Sequence, residues 1–401
     1  MQTPPASLQR SPPALATLIL LSGLSALGMN IFLPSLPNMT EYFQTDYRLM
    51  QLSVALYLAV NAAMQVVIGP LADKAGRRPV ILWGLVLFLI VTLGCIYAPT
   101  VEIFLFFRMC QAVIAVAIVL SRAAVRDMYE QDKAASMLGW VTMGMAVVPM
   151  IGPALGGVLD QYFGWQANFW ILFVLGVAAL ILTYVDFGET ALKSGKTLIQ
   201  QFREYPALLT SPRFWGYSLA CGLSSGAFFA YLGGAPFVST EVFGMEPARM
   251  GLFFGAPALG YFAGNFVSGA YSVRFGVDRM VLWGCVMNAL GVALSLVTML
   301  AGYGSEYSFF GLMTLVGLGN GMSIPNATAG ALSVRPHLAG SASGLNGAIM
   351  LGGGAALSAW AGALLTPESG ALPLLWLMLG TALLGVVAIL AVIWRARRLG
   401  L

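Results

Sequence analysis

The chain has 401 residues, 59% of them hydrophobic and 9% charged, with a formal net charge of +4. A soluble domain carries about 25% charged residues, so 20 basic and 16 acidic side chains exclude a water-facing surface, and one histidine excludes a multi-histidine metal site. With a mean hydropathy of +0.83, the class is an all-α integral membrane protein, because the apolar runs are ~20 residues long whereas barrel strands alternate over ~10.

The chain begins with a short segment, Met1–Pro13, holding one basic residue and four prolines. No small-residue cleavage site ends the first apolar run, so that run is expected to remain as a helix and not leave as a signal peptide. Twelve transmembrane helices are expected, at 14–36, 49–72, 79–98, 101–125, 134–159, 167–187, 213–237, 248–273, 280–302, 307–332, 340–365 and 371–394. Cys95, Cys110, Cys221 and Cys285 lie inside these runs without metal-ligand spacing and read as small core hydrophobes. The one long connection, 188–212, is polar and Lys/Arg-bearing. It reads as a cytoplasmic linker between an N-terminal six-helix bundle, 1–187, and a C-terminal one, 213–401.

Lys and Arg set the orientation. With both termini in the cytoplasm, 17 of the 20 fall in cytoplasmic segments or at cytoplasmic helix ends. Arg48 and Arg249 fall outside, and Arg108 lies within the fourth span. The positive balance is thus a topology signal, and no nucleic-acid partner is expected. The acids divide eight and eight between the two faces, which leaves no carboxylate near the midplane.

One charged phrase occurs twice. "GPLADKAGRRPVILWG" (Gly69–Gly84) returns at an offset of 200 as "GAYSVRFGVDRMVLWG" (Gly269–Gly284). Gly144, Met150 and Gly152 likewise fall on Gly344, Met350 and Gly352. The repeat predicts two pseudo-symmetric halves with a substrate site between them near the midplane. The phrase itself is expected to be a tight cytoplasmic loop between spans 2 and 3, and again between 8 and 9.

Residues within the spans nominate a pathway. A charge at a helix centre costs ~2.5–3.5 kcal/mol on insertion scales, so Arg108 is expected to face the bundle interior. Arg108 and Asn30 are each ~9 Å from the outer end of their helices at 1.5 Å per residue, a depth at which they can meet. Tyr57, Asn61 and Gln65 recur at i, i+4, i+8 on one face of helix 2. Gln111 and Tyr231 are further polar wall residues, and Met145 an apolar one. In helix 5, "VVPMIGPALGG" combines Pro149 and Pro153, which kink a helix, with Gly152, Gly156 and Gly157, which permit close helix contact. A cavity with one arginine and no carboxylate favours neutral, zwitterionic or weakly anionic cargo.

Several of these stretches resemble the major facilitator superfamily. "GPLADKAGRR" (Gly69–Arg78) is similar to its signature loop, "RMCQA" (Arg108–Ala112) to its helix 4 element with alanine in place of the usual glycine, and "GPALGG" (Gly152–Gly157) to the helix 5 element of its drug:proton antiporters. "NIFLPSLP" (Asn30–Pro37) and "RDMY" (Arg126–Tyr129) resemble the Bcr/CflA branch of multidrug exporters. The resemblance implies the major facilitator fold in a bacterial inner membrane, a monomer, no cofactor, and a proton gradient as energy source. It also implies that Asp73, Gly76, Arg77 and Arg78, with the Arg126/Asp127 end of helix 4, form a cytoplasmic latch in the outward-open state. That branch usually has an aspartate where this chain has Asn30. Asn30 then marks either coupling moved elsewhere, an introduced replacement that freezes one state, or a plain polar cavity residue. Glu102 and Asp127 are fallback proton carriers.

The expected function is export of small, mostly neutral amphipathic drugs by alternating access in exchange for protons. The alternative is a proton-independent facilitator or importer of a small metabolite. No cluster of acid, histidine or activated nucleophile suits an enzyme, and no large soluble domain suits a receptor.

Overall fold

The computed structural model describes residues 13–128, 148, 151–190, 205–335 and 339–399, and among these there is no strand. The first expected span is a broken rod. Helix α1 (Leu15–Asn30) ends before a 3-10 turn (Leu33–Ser35), and α2 (Leu36–Tyr42) follows. Pro34 and Pro37 cause the break, since a proline has no N–H to give and is tolerated in a first turn only. Next come α3 (Tyr47–Ala75) and α4 (Arg77–Ile96). The fourth span is α5 (Val101–Gln111) and α6 (Ala115–Met128), separated by a 3-10 turn at Ala112–Ile114. The helix at 151–163, here α7, is the described end of the fifth span. Met145 and Pro149 lie outside the described residues. Helix α8 (Gln166–Asp186) completes the first half of the chain.

The linker contains a short helix, α9 (Tyr205–Leu209). Helix α10 (Pro212–Phe237) starts with Ser211 accepting a hydrogen bond from Phe214 N at 3.4 Å, a normal N-cap. The eighth span is again broken, into α11 (Pro247–Phe253) and α12 (Gly255–Phe275); Pro257 has no N–H for the Phe253 carbonyl. Then follow α13 (Val277–Leu300), α14 (Glu306–Ser333), α15 (Ala339–Leu364) and α16 (Leu372–Leu399). Helices α12 and α13 flank α14, α10 packs on α15 and α16, and α3 packs on α15 across the two halves of the sequence.

Among the described residues, ten stretches are long and apolar enough to cross a membrane. Two expected spans are not among them. One is 134–159, largely outside the described residues. The other is α14, whose 28 residues are long enough but whose glycines, serines, Asn320 and Asn326 dilute its apolar content. Outward-facing side chains are apolar, among them Trp83, Ile90, Val174, Phe266 and Val387, a surface that calls for lipid.

The repeated phrase differs from expectation. It is not a loop. Helix α3 runs through Asp73 to Ala75, Gly76 alone makes the turn at φ 99° and ψ 150°, and Arg77 already begins α4. Gly276 does the same between α12 and α13 at φ 85° and ψ 156°. That backbone region is open to glycine almost exclusively, which is why both copies keep it. At Gly76 the Glu189 carboxylate caps α4, accepting from Arg77 N at 2.8 Å and Arg78 N at 3.3 Å. A β-carbon on Gly76 would collide with that carboxylate, whereas one on Gly276 would meet nothing. Gly76→Ala is therefore expected to lower unfolding stability by about 1–3 kcal/mol from backbone strain, with a further loss from the displaced cap. Gly276→Ala should show the strain alone, and thermal unfolding of the purified pair in detergent compares them.

Candidate functional site

Arg108 sits one turn before the 3-10 break in the fourth span and is 1% exposed. Its side chain enters the space between α1, α3 and α4. Nη2 donates to Gly28 O at 2.8 Å, and Nη1 donates to Gln111 Oε1. Gln111 Nε2 in turn donates to Thr92 Oγ1 at 2.8 Å, and Thr92 Oγ1 donates to Phe88 O. The guanidinium carbon lies 4.0 Å from the Tyr57 ring centre and 4.3 Å from that of Phe32. Among the described residues no carboxylate reaches Arg108, and its Nε has no hydrogen-bond partner. A desolvated cation–π contact contributes about 2 kcal/mol and a charge-assisted hydrogen bond about 1.5–3. Two rings and two oxygens thus offset much of the insertion cost without a counter-ion.

Asn30 does not join this group. Its Nδ2 donates to Ala26 O at 2.9 Å on its own helix, and its Cβ faces α7, 4.0 Å from where a Gly152 β-carbon would lie. Arg108 instead meets Gly28, two residues back. Among the described residues no hydrogen bond links Asn30 to Arg108. The two share a depth but not a face, because rise along the axis fixes level and says nothing of rotation.

The α3 stripe starts under Arg108 and leads away from it. Tyr57 carries the ring contact, Asn61 accepts from Gln65 Nε2 at 3.0 Å, and Gln65 Oε1 lies 3.3 Å from where a Gly347 β-carbon of α15 would be. Tyr231 is elsewhere: it is buried in α10 among the rings of Phe228, Phe254, Phe309 and Phe310, with its hydroxyl unpartnered. Two surface clefts, of about 240 Å³ beside Arg213 and Arg395 and about 570 Å³ beside Trp83 and Leu180, touch neither Arg108 nor the stripe.

The two ends of the bundle differ. At the end bearing Asp160 the halves are in close contact. Gly157 of α7 abuts Pro247 O of α11, and Gly251 of α11 abuts Pro153 O. Gly156 packs on Ile31 O within the first half. Gln161 donates to Glu246 at 3.1 Å, Tyr47 to Gly233 O at 2.9 Å, and Gln51 to Ser358 O across the halves. At the Gly76 end, Asp73 lies in the last turn of α3, and Arg126 and Asp127 lie in the last turn of α6. Arg78 donates to Tyr184 O at 2.9 Å and stacks on the Tyr184 ring. Sequence reasoning missed Glu189 and Tyr184, which lie more than 100 positions from their partners, and also the Gln51–Ser358 contact.

The sequence model of the Major Facilitator Superfamily matches residues 18–359. The chain belongs to that superfamily. The facilitator is 30% identical over 346 residues to a chloramphenicol resistance protein of Pseudomonas aeruginosa, covering 84% of this chain and 82% of that one. It is 25% identical over 343 residues to a bicyclomycin resistance protein homolog of Haemophilus influenzae, covering 84% and 86%. These relatives agree with the Bcr/CflA-type motifs of the sequence. In fold, the facilitator matches a bacterial homolog to the human lysosomal transporter Spinster, solved in an inward-facing and occupied conformation, with a TM-score of 0.74 at 16% identity over 96% of each chain. The facilitator is a multi-pass membrane transporter and not an enzyme.

Proposed function

We propose that the facilitator exports small, mostly neutral amphipathic compounds of drug type by alternating access in exchange for protons. Two six-helix bundles, 1–187 and 213–401, rock about a shared pathway, with residues 188–212 as the linker. Both termini and the Gly76 turn face the cytoplasm of a bacterial inner membrane, and one copy suffices. The closed contact at the Asp160 end and the fold likeness to an inward-facing transporter support reading this conformation as closed to the outside.

The carrying observation is the Arg108 guanidinium, buried against the rings of Phe32 and Tyr57. A buried cation without a carboxylate repels permanent cations and offers hydrogen-bond donors to carbonyl, hydroxyl or weakly anionic groups. Tyr57, Asn61 and Gln65 continue that polar track towards the second bundle. The names of the resistance relatives support a drug as cargo. A susceptibility panel in an efflux-deficient host tests it. Expression should raise resistance to uncharged amphipathic antibiotics, and a protonophore should abolish the gain. Increased accumulation, or a gain indifferent to protonophore, favours the second reading, a proton-independent facilitator or importer of a metabolite, which the lack of a midplane acid supports. Because Asn30 faces α7 and not Arg108, Asn30→Asp is expected to leave the pH dependence of transport unchanged, measured as drug efflux from vesicles between pH 5 and 8.

A further inference from the structure

Helix α7 carries two adjacent stripes at i, i+4, i+8. Gly152, Gly156 and Asp160 pack inward on α1 and the Leu33–Tyr42 segment. Pro153, Gly157 and Gln161 pack across the halves on α11. The first stripe ends in a carboxylate that is 5% exposed. Its Oδ2 accepts from Asn38 Nδ2 at 2.8 Å, and the Ser35 hydroxyl lies beside the carboxylate. Ser35 Oγ is held in turn by Asn168 Nδ2 at 2.8 Å. Every partner is neutral. The charged groups on the surrounding elements are engaged or turned outward: Glu41 on α2 is exposed, Glu246 accepts from Gln161, and Arg249 pairs with Glu306. Among the described residues Asp160 has no cation.

We infer that Asp160 is a proton-binding site that governs the outer seam between α7 and α11: the seam closes over the neutral acid and opens when the proton leaves. The proposal rests on the alternating-access reading above. The chemistry is a single proton transfer. Water reaches the carboxylate when the neighbouring stripe separates from α11, a hydronium ion gives its proton to a carboxylate oxygen and is left as water, and the neutral group is then buried without needing a counter-ion. Opening reverses the step and returns the proton to solvent. The buried environment agrees: it pushes the Asp160 carboxyl, just past the expected end of the 134–159 span, up to about 6. An acid raised in the closed state binds more protons there than when hydrated. Closure is therefore favoured fully below the ordinary aspartate value of ~3.9, and that favour is lost as pH rises through about 6.

Spin labels on the full-length chain in lipid vesicles test this. Tyr162→Cys and Leu252→Cys put them on exposed sites flanking the seam, in a background with the four native cysteines replaced by alanine. Electron–electron distances are then read from pH 4 to 8, without drug and with a transported drug. The labelled parent should shift from short to long distances with a midpoint near pH 6. Asp160→Asn, which stays neutral and nearly isosteric, should remain short at every pH. Asp160→Glu should restore the transition. Asn38→Ala, which removes a donor to the carboxylate, should raise the midpoint by about one pH unit. If Asp160→Asn follows the parent curve, or the parent responds to drug but not to pH, the Asp160 inference is overturned and the transport reading stands. Distances indifferent to both pH and drug overturn alternating access itself.

Discussion

Arg108→Met is expected to abolish transport while changing unfolding stability by no more than about 2 kcal/mol. The substitution removes a cation that is 1% exposed and has no carboxylate partner among the described residues. Replacing a buried charge with an apolar group of similar length relieves desolvation, and such replacements are often neutral or stabilising by about 1–4 kcal/mol. Against that gain stand the contacts given up. Gly28 O and Gln111 Oε1 lose a donor, and an unsatisfied buried acceptor costs about 1–3 kcal/mol. The two effects are of like size, so unfolding stability should move by no more than about 2 kcal/mol. Efflux from vesicles should fall to background, because the charged donor held between Phe32 and Tyr57 is gone. A merely structural arginine predicts the reverse pairing, a lowered melting temperature with transport preserved in the surviving protein. Arg108→Lys separates charge from geometry. A point ammonium replaces a planar fork that serves two oxygens at once, so one charge-assisted bond of about 1.5 kcal/mol is lost, or roughly a tenfold drop in transport.

Gly157→Leu should hold the facilitator open at the Asp160 end. Its β-carbon would occupy the position of Pro247 O, while Gly251 presses on Pro153 O from the other side. Backbone atoms on both helices leave no rotamer to absorb the extra carbons. Overpacking costs about 1–3 kcal/mol, which on a two-state equilibrium is about a 5–150-fold change in population. On the alternating-access reading the closed state bears the whole penalty. Cysteines introduced on the outer half of α3 should then react with a membrane-impermeant thiol reagent, and drug uptake into inverted vesicles should stop. Gly269→Ala is the matched control, because a β-carbon there would meet nothing; reactivity and uptake should remain at wild-type levels.

The positions of most helices were legible because lipid imposes long apolar runs, and ten candidate spans fall on them. Helix α14 (Glu306–Ser333) also falls on an expected span, 307–332, though it is less apolar because its polar residues are spent on buried neighbours: Asn320 accepts from Ser224 Oγ at 2.9 Å and Asn326 donates to Ser268 Oγ at 2.8 Å. The repeated glycines marked where the chain turns, but the turn proved to be one residue long, since charged residues on either side looked like loop and are in fact helix ends. Depth along a helix was legible for Asn30 and Arg108, and azimuth was not, so their expected meeting failed. Asp160 escaped notice for a related reason. Its partner Asn38 is an ordinary polar residue 122 positions away, Ser35 is similarly far from the supporting Asn168, and the close approach of α7 to Ile31 at Gly156 brings the two segments together.

The single-glycine joints have a mechanical meaning. With no slack between α3 and α4, or between α12 and α13, each pair is a stiff lever whose two arms cannot swing separately. On the alternating-access reading, rocking strain would be taken up where the described rods are interrupted, at Pro34, at Ala112–Ile114, at Val238–Val242 and at Phe254. That reading puts the pivots in the first, fourth, seventh and eighth crossings and the leverage in the glycine-jointed pairs.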